Sequence, residues 1–139
     1  MTLYIANVVV PANTPQSAPT RTTIHPNELN ITEVEVLFPP GSAGLVGVRF
    51  LERGSRFAPG AGSSDAWIVG DSETIRWPEE RGIQSPAELV IEAYNLDTTY
   101  QHTAYCRVDC KNYLGDSLMI SLIQMLGEFT EKVGRLIGV

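Results

Sequence analysis

Basic side chains are scarce in this sequence of 139 residues. Ten Lys and Arg stand against sixteen Asp and Glu, which gives a formal net charge of −6. Nucleic acids and anionic membrane surfaces are bound through clustered cations. We therefore expect neither nucleic acid nor an anionic membrane surface as a partner.

Long apolar runs are absent as well. No run approaches the length of about 20 residues that a membrane-spanning helix needs. The segment Met1–Ile5 lacks the basic region and the small-residue cleavage site of a secretory signal. We therefore expect neither a membrane span nor a targeting segment.

Histidine and cysteine, the residues most often used in catalysis and metal binding, occur only twice each. Cys106 and Cys110 fall on one predicted strand, where four residues span about 13 Å. That separation is too long for a disulfide, so two buried thiols are expected. His102 lies equally far from Cys106, which excludes a thiolate–imidazole pair. The histidines His25 and His102 form no zinc pattern with the cysteines. We predict no catalytic residue, no metal site and no cofactor.

Residues 1–113 carry the alternation that is typical of short β-strands. Val34, Val36 and Phe38 alternate with Glu33 and Glu35, so one face of this strand is apolar. Similar segments recur at intervals of about ten residues between turns rich in Gly and Pro. This pattern predicts a mainly β fold: an antiparallel β-sandwich of about eight strands, jelly-roll-like or Ig-like, with one C-terminal α-helix. The predicted strands are Leu3–Val10, Thr20–His25, Ile31–Phe38, Gly44–Glu52, Asp65–Val69, Ser72–Trp77, Ala87–Asn95 and Tyr100–Cys110.

The connections between these strands carry predictions of their own. Three prolines at four-residue spacing in residues 11–19 predict an extended arm within the sandwich domain, suited to reaching a neighbouring subunit. The turn residues 39–43 predict an antiparallel hairpin between the third and fourth strands. Arg53–Ser64 and Pro78–Pro86 are predicted to be loops.

Residues 114–139 differ from the rest because they contain no proline and follow a helical period. Asp116 or Ser117 can cap the start of a helix. Apolar residues then recur at alternating intervals of three and four, which is the heptad pattern of a helix that packs along one seam. The predicted oligomerisation or docking residues of this seam are Met119, Leu122, Leu126, Phe129, Val133 and Leu136.

Three placements of this helix are open. It can pack across its own sandwich, associate with copies of itself or another protein, or lie at a membrane interface. Further apolar residues, among them Ile123 and Met125, make the apolar stripe wider than one sheet contact requires. The width favours association, and a short polar face of mixed charge disfavours the membrane interface.

The strand region also resembles a known group of proteins. The resemblance rests on residues 34–41 (VEVLFPPG) with 44–48 (GLVGV), on 67–75 (WIVGDSETI) and on 94–103 (YNLDTTYQHT). These segments are similar to small single-domain β-sandwich virion proteins, the decoration, minor capsid and spike components of phages and archaeal viruses. The resemblance implies a non-enzymatic structural or assembly role in a virion assembled in the host cytoplasm. The implied partners are copies of the chain and other virion proteins.

A carbohydrate- or receptor-binding module is the alternative function. Four aromatic residues can form a stacking platform for a glycan, namely Trp67, Trp77, Tyr94 and Tyr100. The predicted site consists of the loops Arg53–Ser64 and Pro78–Ser85 together with Trp67 or Trp77. Aromatic residues at strand spacing also serve as core or cross-strand pairs. Both interpretations of the two tryptophans are open from the sequence.

Overall fold

A computed structural model describes residues 2–28, 30–60, 66–84, 86–112 and 116–136, without the side chains of 116–121 and 135–136. The described residues form two antiparallel sheets and one C-terminal helix, so the fold is mainly β and sandwich-like. The elements are β1 (Thr2–Val10), β2 (Thr20–Ile24), β3 (Asn30–Phe38), β4 (Val46–Glu52), β5 (Ser55–Ala58), β6 (Ile68–Val69), β7 (Glu73–Gly82), β8 (Leu89–Asn95), β9 (His102–Lys111) and α1 (Asp116–Leu136).

The nine strands of the described residues belong to two sheets, and the chain alternates between the sheets except at β4, β5 and β6, which are all in one sheet. Sheet 1 has the order β1-β9-β3-β7, and sheet 2 has the order β2-β8-β4-β5, with β6 also paired to β4. Every pairing is antiparallel. The two long strands β1 and β9 pair over their full length, from Thr2 opposite Cys110 to Val10 opposite His102.

The core lies between the sheets and is built from alternate residues of their strands. Val34, Val36 and Phe38 of β3 are buried, as the alternation predicts, and they share the core with Val48 and Phe50 of β4. Full burial of an apolar side chain of this size contributes about 1.5–3 kcal/mol. Burial of alternate side chains therefore determines which face of each strand points inward.

The predicted hairpin between the third and fourth strands is wrong, because β3 and β4 belong to different sheets. The connection after Phe38 crosses from one sheet to the other. Among the described strands, only β4 and β5 are both consecutive and paired. Arg53 and Gly54 join them with positive φ angles of 49° and 82°, which suit a tight two-residue hairpin turn.

Two segments predicted to be loops contain strand residues. Residues of β5 lie within Arg53–Ser64, where Phe57 packs on Phe50 with ring centroids 6.2 Å apart. Strand β7 continues past Pro78 to Gly82. Because β7 is an edge strand, a proline that cannot donate a hydrogen bond is tolerated there. Strand β5 raises the count among the described residues from about eight to nine, and the continuation of β7 lengthens a predicted strand.

The proline-rich arm is held by its own chain. The backbone N–H groups of Thr14 and Asn95 each donate to the carbonyl of the other at 2.9 Å, and Asn13 N–H donates to the Asp97 carbonyl at 2.9 Å. The arm is therefore fixed at its middle to the turn between β8 and β9. Its predicted reach toward a neighbouring subunit remains a prediction for the residues on either side.

Candidate functional site

The apolar side chains of α1 form an extensive exposed apolar surface within the described part of the chain. The described seam residues are Leu122, Leu126, Phe129 and Val133, and their exposed fractions range from 38% to 67%. Ile123 and Met125 beside them are exposed as well. The side chains of Met119 and Leu136, which complete the predicted seam, lie outside the described residues. The sheets therefore leave this part of the predicted seam uncovered.

The exposure of the apolar stripe affects the stability of α1 itself. Most helical stability in proteins comes from tertiary packing of an apolar face and not from the intrinsic helix propensity of the residues. Every side chain from 122 to 133 is exposed. A partner that covers the stripe would therefore stabilise the helix as well as the contact.

A second exposed apolar surface lies on the outer face of sheet 1. Leu3, Ile5 and Val9 project from this face of β1, which is an edge strand. Tyr105 on β9 and Leu37 on β3 lie directly opposite each other and extend the surface across the sheet. We call these five residues the sheet 1 patch. Polar residues interrupt this patch, because Asp109 and Arg107 of β9 lie opposite Leu3 and Ile5, and Asn7 separates Ile5 from Val9.

The two tryptophans predicted as a glycan platform lie on different sheets. Trp77 is in β7 and packs against the core from sheet 1. Trp67 precedes β6 of sheet 2, where the guanidinium carbon of Arg49 lies 4.2 Å from its ring centroid. The ring of Tyr94 meets Trp67 edge-on at 4.8 Å. The structure therefore does not join the tryptophans into one platform, and Arg49 covers one face of Trp67.

A charged row crosses the outer face of sheet 2. Arg21, Glu92 and Arg49 lie directly opposite one another on β2, β8 and β4. Glu92 Oε1 lies 3.2 Å from Arg21 Nε, and Glu92 Oε2 accepts hydrogen bonds from Arg49 Nε at 2.8 Å and Nη2 at 2.6 Å. The carboxylate is only 4% exposed. Two hydrogen bonds hold Arg49 on Oε2, whereas the exposed Arg21 contacts Oε1 through a single ion pair.

This row forms one wall of an open groove of about 490 Å³. Thr23, Val90 and Leu51 form the next row of the same face, and the exposed Glu88 lies at its end. The sequence pattern does not reveal this groove. Its residues alternate with buried ones, but their assembly depends on β2, β8 and β4 being neighbours, and local patterns do not show that order.

The cysteines are free and buried, as predicted. Burial raises the pKa of the Cys106 thiol to about 12. Burial, with the nearby carboxylates of Glu28 and Asp109, raises the pKa of Cys110 to about 12 as well. A thiol is a nucleophile only as the thiolate, so both groups are unreactive near neutral pH.

His102 and Asp97 brace the turn between β8 and β9. His102 Nε2 lies 2.9 Å from Asp97 Oδ2, while Asp97 Oδ1 accepts the backbone N–H groups of Thr99 at 2.8 Å and Tyr100 at 3.1 Å. The Thr99 N–H, then His102 and the Tyr100 N–H, lower the pKa of Asp97. All of these bonds lie within one turn, so the pair has a structural role.

Across the described ranges, no group of three His, Cys, Asp or Glu side chains is placed to hold a metal ion. No helix in that part of the chain is long and apolar enough to cross a membrane. No family model matches this sequence, and no curated protein matches it either. Function is therefore inferred from the geometry of the described surfaces.

Proposed function

We propose that this chain is a non-enzymatic structural or assembly protein that associates with copies of itself through α1. The observation that carries the proposal is the uncovered apolar stripe along α1. At about 1.5–3 kcal/mol for each buried side chain, the four described seam residues supply on the order of 10 kcal/mol before the entropic costs of association. That is enough to drive oligomerisation.

The strand order supports a jelly roll as the finer fold class. In Ig-like sandwiches, several consecutive strands pair within one sheet. Here β1, β2, β3 and β4 alternate between the sheets, and so do β7, β8 and β9. With β5 and β6 counted as one interrupted strand, two four-stranded sheets with this alternation correspond to a jelly roll. Viral capsid proteins and lectins are among the proteins that use that fold.

A virion is the assembly that best suits a small jelly-roll-like sandwich with exposed apolar surfaces. The proposed role is that of a decoration, minor capsid or spike component, in a particle assembled in the host cytoplasm. Its support is the small jelly-roll-like sandwich together with two exposed apolar surfaces, one on α1 and one on the sheet 1 patch. Mass spectrometry of purified virus particles tests this role, and particles without peptides of this chain would contradict it.

The proposed occupant of the sheet 1 patch is α1 of a second copy. Strand β1 has nine residues and a length of about 30 Å, at about 3.3 Å per residue. Helix α1 has 21 residues and a length of about 31 Å, at 1.5 Å per residue. The two elements that carry the apolar surfaces are therefore similar in length.

Light scattering coupled to size-exclusion chromatography tests the association. We expect the full chain to be an oligomer and the Leu126→Asp and Phe129→Asp variants to be monomers. Gln124→Asp is the matched control because it places the same charge on the opposite side of the helix from the seam. A monomeric wild-type chain at high micromolar concentration would overturn the proposal, and so would equal dissociation by Gln124→Asp.

A further inference from the structure

We propose that the groove on the outer face of sheet 2 binds a neutral saccharide. This inference goes beyond the assembly role, and it concerns a face that neither α1 nor the sheet 1 patch uses. The groove has a volume of about 490 Å³, within the range of about 300–1,000 Å³ that is usual for small-ligand sites. Its principal lining residues are Arg21, Thr23, Arg49, Glu88, Val90 and Glu92.

The polar wall of the groove is already organised before a ligand arrives. Glu92 is 4% exposed and holds Arg21 through one oxygen and Arg49 through the other. Arg21 uses Nε for this contact, and its side chain, which is 68% exposed, lines the groove. Arg49, which two hydrogen bonds hold in place, therefore loses little conformational entropy when a ligand binds.

Trp67 acts behind this wall as a positioning residue. The Arg49 guanidinium lies between the Trp67 ring, at 4.2 Å, and the Glu92 carboxylate, at 2.6 Å. A cation held between an aromatic face and a carboxylate has little freedom to rotate. The tryptophan therefore supports the site indirectly instead of stacking on the sugar.

The floor of the groove complements the two sides of a pyranose ring. Val90 and Leu51 offer an apolar surface to the C–H groups of a sugar. The exposed Thr23 hydroxyl, the Glu88 carboxylate and the Arg21 N–H groups surround that surface. Together they provide donors and acceptors to a ring of hydroxyl groups, each of which needs both.

The charge balance of the groove selects a neutral ligand. Two arginines, Arg21 and Arg49, are matched by two carboxylates, Glu88 and Glu92. A phosphate, sulfate or carboxylate ligand would meet as many like charges as opposite ones, so it would gain little electrostatic energy. A neutral saccharide has no such repulsion and can hydrogen bond to the exposed side chains of Arg21, Thr23 and Glu88.

A glycan array probed with the full-length chain tests the proposal. The array holds neutral oligosaccharides ending in hexose or N-acetylhexosamine, with sialylated and sulfated oligosaccharides for comparison. The strongest neutral ligand is then titrated by calorimetry against the wild-type chain and its variants. We expect Arg21→Ala and Glu88→Gln to weaken binding at least tenfold. Arg76→Ala is the matched control, since Arg76 is 70% exposed on the other sheet, and it should bind as the wild type does.

Thr23→Val keeps the test decisive if Arg21→Ala does not fold, because it removes a hydroxyl with little change of shape. Thermal unfolding of each variant establishes that it is folded. No binding of any neutral glycan would overturn the proposal. Binding of sialylated or sulfated glycans alone would overturn the ligand class. Equal affinities of the wild type, Glu88→Gln and Thr23→Val would overturn the site.

Discussion

Glu52 on β4 and Arg81 on β7 form an ion pair that joins the two sheets. Arg81 Nη2 lies 3.0 Å from Glu52 Oε1, and Arg81 Nε donates to the same oxygen at 3.1 Å. The Glu52 side chain is only 7% exposed. The Arg81 guanidinium also lies over the Phe57 ring, 5.4 Å from its centroid. This contact attaches the second half of β7, which the sequence predicted to be a loop, to sheet 2.

Removal of Arg81 should destabilise the sandwich. Arg81→Ala leaves the buried Glu52 carboxylate without its cation, and we expect a loss of about 2–3 kcal/mol in the free energy of unfolding. Urea denaturation measures it. Arg107→Ala is the control because Arg107 is half exposed and 3.8 Å from Glu35, and its loss should stay below about 0.5 kcal/mol. Equal losses in the two variants would show that the buried pair adds nothing.

Gly47 allows the Tyr94 ring to lie flat against β4. A Cβ atom at Gly47 would collide with that ring. We therefore expect Gly47→Ala to destabilise the chain by about 1–3 kcal/mol through overpacking. Because Tyr94 contacts Trp67, the fluorescence of the folded variant should shift too. Gly82→Ala meets no close neighbour and serves as the control; a similar effect there would contradict the collision.

Both thiols should resist modification in the folded chain. With a pKa of about 12 for Cys106 and Cys110, about one thiol in ten thousand is ionised at pH 8, and burial blocks access to it. We expect no reaction with a thiol-reactive chromogenic disulfide on the time scale of minutes. In denaturant two thiols per chain should react at once. Rapid labelling of the native chain would disprove the burial of the cysteines.

Asp97 should make stability depend on pH in the acid range. Its folded-state pKa is lowered from 3.8, so its contribution is fully present above that value and is lost as the pH falls through the lowered pKa. The free energy of unfolding should therefore decrease between about pH 5 and about pH 2. Asp97→Asn should decrease less, which urea titrations across this range measure. Parallel curves for the two proteins would contradict the assignment.

The strand positions were largely predictable because alternation is a local property. Val34, Val36 and Phe38 identify the inner face of β3 without knowledge of its neighbours. The turn at residues 39–43 was misassigned for the opposite reason. Pro- and Gly-rich turns of similar length serve both hairpins and crossings between sheets, and burial of both sheets against each other selects between them.

The candidate surfaces also differ in whether the sequence predicts them. The seam through Leu122, Leu126 and Phe129 follows from helical periodicity, and its exposure agrees with the width of the stripe. The row Arg21–Glu92–Arg49 could not be predicted, because its members are far apart along the chain. Arg21 and Arg49 are separated by 28 positions, and Arg49 and Glu92 by 43.

Local periodicity thus specifies which segments form strands, which segment forms a helix and which faces of these elements are apolar. These properties depend on backbone geometry and on neighbours two to four residues away. The strand order depends on how two sheets bury their inner faces together, which no short stretch of residues encodes. Packing between distant segments therefore creates the groove on sheet 2 and leaves the sheet 1 patch exposed.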